Sequence, residues 1–479
     1  MISRSTSIQV YVFTALFIVV NMFFISQDSY IINTIPFVLI LLLLAFVSLK
    51  HLMLIIAFCA PLSLQLSYFL PDTSLDMSLP TEPFLFGIMG LFFLKLITER
   101  RFDKKVLTHP VSISIYFYLI WLFLTSLSSE LPIVSFKYLL VRLWFIVNFY
   151  FLVTQLVEDK SYISKYLWAY TLGLMIVIGI TLFKHAQEEF TQKASHYVMH
   201  PFFNDHTSYG AALAMILPAI IGITQSVRKT FNIRFLQIFA ISIILIALVF
   251  SYTRAAWLSL VVAIGIWILI KLRIKFRSLI IIGVLSLSIL IPISHSILYS
   301  LEKNDEVSST DFSAHIKSMS NISTDASNLE RINRWKSAIR MFEKRPVMGW
   351  GPGTYMFLYA PFQHSEDRTI ISTNAADLGN AHSEYLGLLS EAGFIGFLSF
   401  ILIIILTLST AFKLYFRTKN NATKKITLFL ILGLITYYVH GFLNNFLDYD
   451  KIALLFWSFT AIIVALDIQD KESLSKDKI

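Results

Sequence analysis

The feature that most constrains this chain is the recurrence, almost from end to end, of apolar runs about 18 to 20 residues long. A helix of that length crosses the ~30 Å hydrocarbon core of a bilayer. Charged residues make up only 14% of the 479 residues, against roughly 25% in soluble globular chains. No run alternates like a barrel strand, and backbone groups in lipid must pair within each segment. The sequence therefore predicts an all-α polytopic membrane protein and excludes soluble enzymes, disordered proteins and disulfide scaffolds.

We expect about 12–14 transmembrane helices from this hydropathy pattern. The candidate spans lie near 8–26, 30–49, 51–70, 83–98, 111–128, 137–157, 163–183, 207–227, 235–251, 255–270, 278–298, 392–415, 426–443 and 451–467. The division predicted from them is N-terminal transmembrane helices (1–298), an extracytoplasmic loop domain (299–391), C-terminal transmembrane helices (392–467) and a cytoplasmic tail (468–479).

Basic residues alternate between the short connections, and Lys and Arg are retained on the cytoplasmic side of a membrane. One set of connections is rich in them; the other, near 27–29, 71–82, 129–136, 185–206 and 444–450, holds Lys193 and no other Lys or Arg. We therefore expect both termini to be cytoplasmic and the long segment after residue 298 to be extracytoplasmic. Topology also accounts for the net charge of +9, so a nucleic-acid partner is not expected.

Residues 327–346 of the long segment predict an amphipathic helix. Ser327 and Glu330 have the spacing of a capping box, and Pro346 would follow the helix end. An apolar stripe recurs every three or four residues. Its members are Leu329, Ile332, Trp335, Ile339 and Phe342. Arg331 and Arg334 lie together on a neighbouring face, where two guanidiniums could bind phosphate oxygens.

Three motifs in order resemble the O-antigen ligase and O-antigen polymerase superfamily of bacterial multispanning glycosyltransferases. The first is SYTRAAW at 251–257, with Arg254 in a short turn between two apolar spans. The second is RINRW at 331–335, followed by the glycine-rich turn GWGPG at 349–353. The third is His382 with Gly393 and Gly396 at the family's spacing. The resemblance covers about residues 235–445 well and the first half only by topology.

The resemblance implies a metal-independent, inverting transfer of a glycan from undecaprenyl diphosphate to an acceptor hydroxyl on the outer leaflet. By motif, Arg254 and Arg331 would bind the diphosphate and His382 would be the catalytic base. Fixed positive charge suits a diphosphate leaving group, and a neutral imidazole can take the proton of an attacking hydroxyl. Arg334 is added to the diphosphate-binding set from its helical spacing.

Three further residues are expected to support the site. Glu384 and Glu391 would orient His382, pair with the arginines or lie as solvated charges at a helix end. Arg142 would line the same cavity or extend to the membrane interface. The acidic pair Asp448 and Asp450 resembles a metal-binding signature but falls in an outer turn, where nucleotide sugars are absent. No metal and no cofactor is therefore expected.

Two functions share this donor chemistry, and the sequence leaves both open. A ligase would pass a finished glycan to a lipid A-core or other acceptor, whereas a polymerase would join lipid-linked repeat units. A transporter or flippase of an anionic or lipid-linked substrate ranks lower, because the ionisable candidates cluster at the outer rim and not at the bilayer midplane. In each case the expected location is the bacterial inner (cytoplasmic) membrane.

Overall fold

The computed structural model describes residues 4–27, 48–69, 77–99, 102–226, 230–272, 326–369, 372 and 379–476, with separate positions between 278 and 288. The predicted spans at 30–49 and 278–298, and the first part of the predicted loop domain, lie largely outside these residues. The chain divides into two compact units, Met1–Ile56 and Ala57–Ile479.

The longer described helices share an apolar composition, apart from one that lies in the predicted loop domain. In chain order they are α1 (Arg4–Ile25), α2 (Leu49–Cys59), α3 (Thr81–Glu99), α4 (Pro110–Leu127), α5 (Pro132–Leu156), α6 (Lys160–Gln187), α7 (His206–Ser226), α8 (Phe231–Phe250), α9 (Arg254–Lys271), α10 (Ala326–Lys344), α11 (Glu384–Arg417), α12 (Asn421–His440) and α13 (Asp450–Lys476).

Ten of the described helices are long and apolar enough to cross a membrane. The prediction of an all-α polytopic membrane protein is confirmed. The span expected at 51–70 is different: α2 ends at Cys59, and a 3₁₀ turn at Ala60–Leu62 contains Pro61, which cannot continue a helix. The chain then forms β1 (Leu64–Gln65), which pairs antiparallel with β2 (Ser78–Leu79).

The centre of the larger unit is α13, whose apolar stretch is 94% buried. A helix that is hydrophobic all round is stable only when other helices cover it. Close packing continues between α7 and α12, where a Cβ added at Gly433 would lie 2.7 Å from the Met215 carbonyl oxygen. On α8, by contrast, Phe235, Leu236 and Phe239 are exposed, as expected for a lipid-facing surface.

One end of the bundle gathers the starts of α7, α9 and α11 and the end of α12. The Thr253 hydroxyl, just before α9, donates to the His206 carbonyl at the start of α7 (2.7 Å). The Glu384 amide, at the start of α11, donates to the Gly441 carbonyl just after α12 (2.9 Å). This end carries all three motifs identified in the sequence.

Helix α11 is interrupted at Gly393, which adopts φ 70° and ψ −173°. The break lets the turn after α10 enter the helix: the Phe394 amide donates to the Pro346 carbonyl at 2.8 Å. A Cβ at Gly393 would lie 2.0 Å from the Val347 carbonyl oxygen. Only glycine combines this backbone conformation with so close an approach.

Helix α10 is present as predicted, and it buries its polar face. Glu330, Arg334 and Ser337 are almost inaccessible, whereas Leu329 and Ile339 of the apolar stripe are 37% and 42% exposed. A buried polar face is stable only when its groups are hydrogen-bonded, and the neighbouring segment at 355–372 supplies the partners. Leu329 and Ile339 remain exposed and can meet the headgroup layer, whereas Trp335 of the same stripe donates to the His382 carbonyl.

Candidate functional site

His382 lies two residues before α11, in a backbone conformation that β-carbon-bearing residues rarely adopt, with φ 47°. Two hydrogen bonds hold it there. The His382 amide donates to the Asn380 side-chain oxygen (3.0 Å), and the Trp335 indole N–H donates to the His382 carbonyl (3.2 Å). The loop before α11 is thereby joined to α10, and the backbone of His382 has a defined position.

Burial, together with the positive charges of Arg331 and Arg334, lowers the pKa of His382 to about 3. The opposing charges of Asp205 and Glu330 are weaker. The imidazole is therefore neutral at pH 7. A neutral ring is the form that can accept a proton.

Arg331 connects His382 to the turn that carries Arg254. Its charge acts on the His206 ring as well as on His382, and the charge of Arg254 acts on His206 too. Arg254 is the first residue of α9 and is half-buried. The charge of Arg331 therefore reaches two rings, those of His382 and His206, and the charge of Arg254 reaches the second.

Two helices start at this place, and only the first is capped by a carboxylate. Helix α7 is preceded by Asp205, whose carboxylate accepts from the Ser208 amide (2.7 Å). Helix α9 is preceded by Thr253, whose side chain makes no cap and donates instead to the His206 carbonyl. Helix N-termini carry a partial positive charge, and Arg254 adds a full positive charge at the start of α9. The helix dipole alone would disfavour a cation at that position. The arrangement favours an anionic ligand.

Sequence reasoning missed three residues of this cluster, namely Asp205, His206 and His440. His440 is buried at the end of α12, where its Nε2 lies 3.1 Å from the Asn444 side-chain nitrogen, and the charges of Asp205 and Arg331 act on it. The N-cap signature of Asp205 before an apolar run was a usable signal. Nothing in the local sequence distinguishes His440.

Arg334 is directed into the loop segment. It is 6% exposed, and its Nε donates to Glu330 at 2.8 Å. Its Nη1 donates to the Asn380 carbonyl at 3.2 Å, and its guanidinium lies over the Tyr359 ring. These contacts attach Arg334 to the loop that holds His382.

Glu330, the carboxylate partner of Arg334, accepts hydrogen bonds from several other donors. Burial opposes its ionisation, but hydrogen bonds from Ser372, Arg334 and Asn333 outweigh burial and hold the pKa of the carboxyl below its usual value. The Asn333 amide also donates to the Gln363 side-chain oxygen at 2.7 Å. The result is a connected polar network beneath the His382 loop.

Glu384 and Arg142 meet in a second network, on the side of α11 that faces α5. The Glu384 carboxylate accepts from the Tyr437 hydroxyl (2.6 Å) and the Leu447 amide (2.8 Å). Arg142 Nη2 lies 4.0 Å from Glu384 and 2.9 Å from Asp448. This network joins α5, α11 and the turn before α13.

Glu391 holds the glycine-rich turn. Its carboxylate accepts from the Tyr355 amide (2.9 Å), and its carbonyl accepts from the Gly351 amide (2.8 Å). Gly351 has φ 113°, and a Cβ there would lie 1.9 Å from the Ser129 hydroxyl oxygen. The turn is therefore shaped by close packing between the loop domain and the end of α4.

The acidic pair of the turn before α13 is engaged by protein cations. Asp448 pairs with Arg142, and Asp450 accepts from the Thr81 hydroxyl and lies 3.7 Å from Lys451. Among the described residues, the group with metal-ligand spacing is His364, Glu366 and Asp367. Asp367 already bonds Lys336 and Arg340, so its carboxylate is occupied.

Comparison with known proteins supports the predicted superfamily for one segment of the chain. Residues 239–401 match the family model described as O-antigen ligase. The resemblance predicted from the sequence is confirmed over this segment. An uncharacterized protein of Haemophilus influenzae is 23% identical over 235 residues, which are 48% of this chain and 57% of that protein. The chain therefore spans little more than half the length of this relative.

The O-antigen ligase match supports a surface-polysaccharide-related enzyme with glycosyltransferase-like activity. The matched segment contains Arg254, Arg331 and His382. It leaves out His206 and His440, which the fold brings to the same electrostatic cluster from either side of the segment. The candidate site thus combines the O-antigen ligase segment with helices that flank it in the sequence.

Proposed function

We propose that this protein is an O-antigen ligase-like glycosyltransferase, which moves a glycan from undecaprenyl diphosphate to an acceptor hydroxyl in surface polysaccharide assembly. The transfer is metal-independent and inverting. The acceptor is a lipid A-core or another glycan, and the reaction takes place on the extracytoplasmic face of the bacterial inner membrane.

Arg254 and Arg331 bind the diphosphate of the donor. Their guanidiniums, together with the start of α9, place positive charge where the leaving group accumulates negative charge. Such preorganised charge stabilises the transition state without any rearrangement at the moment of reaction.

His382 is the general base. The acceptor oxygen forms a bond to the anomeric carbon as the bond from that carbon to the diphosphate oxygen breaks, and the hydroxyl proton passes to the imidazole. Since Arg331 contributes to the lowered pKa of His382, a bound diphosphate that offsets the Arg331 charge raises this pKa. His382 thereby becomes a stronger base when the donor diphosphate is bound.

Arg334 is assigned a positioning role because its guanidinium bonds Glu330 and the Asn380 carbonyl. Glu384, Glu391 and Arg142 hold the start of α11 and the glycine-rich turn in place. The observation that carries the proposal is the convergence on Arg331, whose charge acts on both His382 and His206 beside Arg254.

The test is to express His382→Ala and Arg254→Ala in the native host lacking its own copy, and to size the lipid-linked glycans. Matched controls are His364→Ala and Arg234→Ala, since both residues are exposed. We expect both site variants, and neither control, to accumulate lipid-linked glycan. Long polymer on the carrier indicates a ligase, and single repeat units indicate a polymerase. A wild-type profile at normal expression refutes the proposal and favours a transporter.

The proposed orientation has a separate test by cysteine labelling. With Cys59→Ser as background, Glu366→Cys should react with a membrane-impermeant maleimide added outside, and Lys419→Cys should not. Both positions are exposed, and they lie near opposite ends of α11. The reverse labelling pattern would contradict the cytoplasmic termini and the extracytoplasmic site together.

A further inference from the structure

A cavity of about 730 Å³ lies beside the His382 loop, and its lining does not include His382, Arg331 or Arg254. It is bounded by α5, by the end of the glycine-rich turn, by the start of α11 and by the turn before α13. The volume falls in the range of about 300–1,000 Å³ typical of ligand sites.

The cavity and the arginine cluster share one wall. Asn380, Ala381 and Ser383 line the cavity, while the residue between them, His382, is subject to the charges of Arg331 and Arg334. The positive φ of His382 sets the direction of this short segment. His382 therefore lies within a chain segment that forms part of the cavity wall.

The cavity is lined by more acids than bases. Among the described residues that line it, the acids are Glu82, Glu384, Glu391 and Asp448, and the bases are Lys137 and Arg142. Arg142 is hydrogen-bonded to the Tyr138 hydroxyl and pairs with Asp448 at 2.9 Å, so Lys137 is the base that remains for the other three acids. A diphosphate or an acidic sugar would face this excess of carboxyl groups, so an anionic ligand is disfavoured.

Other lining groups suit a polyhydroxylated ligand. Tyr118, Tyr138 and Phe400 supply aromatic surface, and carboxylates accept hydrogen bonds from hydroxyl groups. Asn445 is another lining residue, and a side-chain amide can both donate to and accept from a sugar hydroxyl.

We propose that this cavity binds the sugar residues of the acceptor, and that it selects neutral or amino sugars over acidic ones. This inference rests on the proposed function, because it assigns the acceptor to one side of His382 and the donor diphosphate to the other. It adds a substrate class and specificity residues, of which Asn445 is the first.

The experiment measures binding of two probes to the purified full chain in lipid nanodiscs. One probe is a phosphate-free oligosaccharide released from the host's own surface polysaccharide, and the other is inorganic diphosphate. Asn445→Ala removes the side-chain amide of this lining residue, and Val141→Trp fills the cavity from α5. The matched controls are Asn421→Ala and Val261→Trp, both at exposed positions.

We expect Asn445→Ala to weaken oligosaccharide binding by roughly two- to tenfold, the equivalent of one hydrogen bond. Val141→Trp should weaken it more, and the controls should match wild type. Diphosphate binding should be unchanged in both cavity variants, which also shows that they fold. Carboxyl reduction of an acidic oligosaccharide should strengthen its binding.

Three results would overturn the inference. The wild-type chain could bind no oligosaccharide, the cavity variants could bind oligosaccharide as tightly as wild type, or the cavity variants could lose diphosphate binding and keep oligosaccharide binding. Failure of the proposed function is distinguishable: Arg331→Ala would then keep diphosphate binding, while Asn445→Ala would still weaken oligosaccharide binding.

Discussion

The pH dependence of transfer tests the electrostatic reasoning about His382 most directly. Burial and the charges of Arg331 and Arg334 lower the pKa of His382 to about 3, from an ordinary value of 6.5. A base acts only when unprotonated, so activity is lost as the pH falls through its pKa. The perturbation of interest is Arg331→Gln, which removes one of the charges that keep the ring neutral.

The expected magnitudes follow from these values. With an ordinary pKa, an imidazole is about 97% protonated at pH 5, whereas with a pKa of about 3 it is protonated in about 1% of molecules. The wild-type kcat/KM should therefore stay level from pH 8 to pH 5. In Arg331→Gln the acid limb should move upward, toward 6.5, although burial keeps it below that value.

The assay measures transfer rates in proteoliposomes with purified lipid-linked donor, between pH 4 and pH 8. The profile of kcat/KM reports the free enzyme, and that of kcat reports the enzyme with donor bound. Because the diphosphate offsets the Arg331 charge, the acid limb of kcat should lie at a higher pH than that of kcat/KM. His364→Ala, which changes an exposed histidine, is the control and should leave both profiles unchanged.

Two results would refute the reasoning. A wild-type kcat/KM that falls by half near pH 6.5 would mean that His382 is not subject to the burial and charges seen here. An acid limb that does not move in Arg331→Gln would mean that this arginine does not act on the base. His382→Ala itself should lower the rate by about 10² to 10⁴.

Three further predictions concern stability, measured by thermal unfolding of the purified chain in nanodiscs. Gly393→Ala should destabilise the chain by at least about 1–2 kcal/mol from its left-handed backbone alone, whereas Gly265→Ala, where a Cβ meets nothing within 4 Å, should not; equal behaviour would contradict the break in α11. Glu330→Ala leaves the Arg334 guanidinium buried without its carboxylate and should cost about 3–5 kcal/mol; a neutral result would contradict the buried pair. Lys105→Ala removes an exposed ion pair and should leave the unfolding temperature unchanged.

Local patterns predicted the membrane bundle and the amphipathic helix. A run of apolar residues has one stable arrangement in lipid, and the periodicity of α10 depends only on neighbouring residues. The same patterns predicted a continuous span at 51–70, where Pro61 and the short β1–β2 pair end the helix instead. In that segment the breaking residue outweighed hydrophobicity.

The sequence did not show which face of α10 packs against the rest of the protein. The helical periodicity of α10 was predicted, but the sequence did not show that the fold would enclose Glu330 and Arg334. A buried polar face becomes favourable only when partners such as Gln363 and Ser372 are already in place, and these lie 30 or more residues away. Arg334 was therefore grouped with Arg331 by spacing, although its guanidinium bonds the loop domain.

By itself, the sequence determined the helical membrane architecture, the order of the three motifs and the residue types at Arg254, Arg331 and His382. Only the tertiary structure decided that Arg331 lies where its charge reaches both His382 and His206, and that a separate cavity with an excess of carboxylates adjoins them. The physical reason is the separation along the chain of the residues that interact. Helix formation and hydrophobic burial follow from residues within a few turns of each other, whereas pKa values and binding cavities depend on charges and surfaces that meet only when distant helices pack.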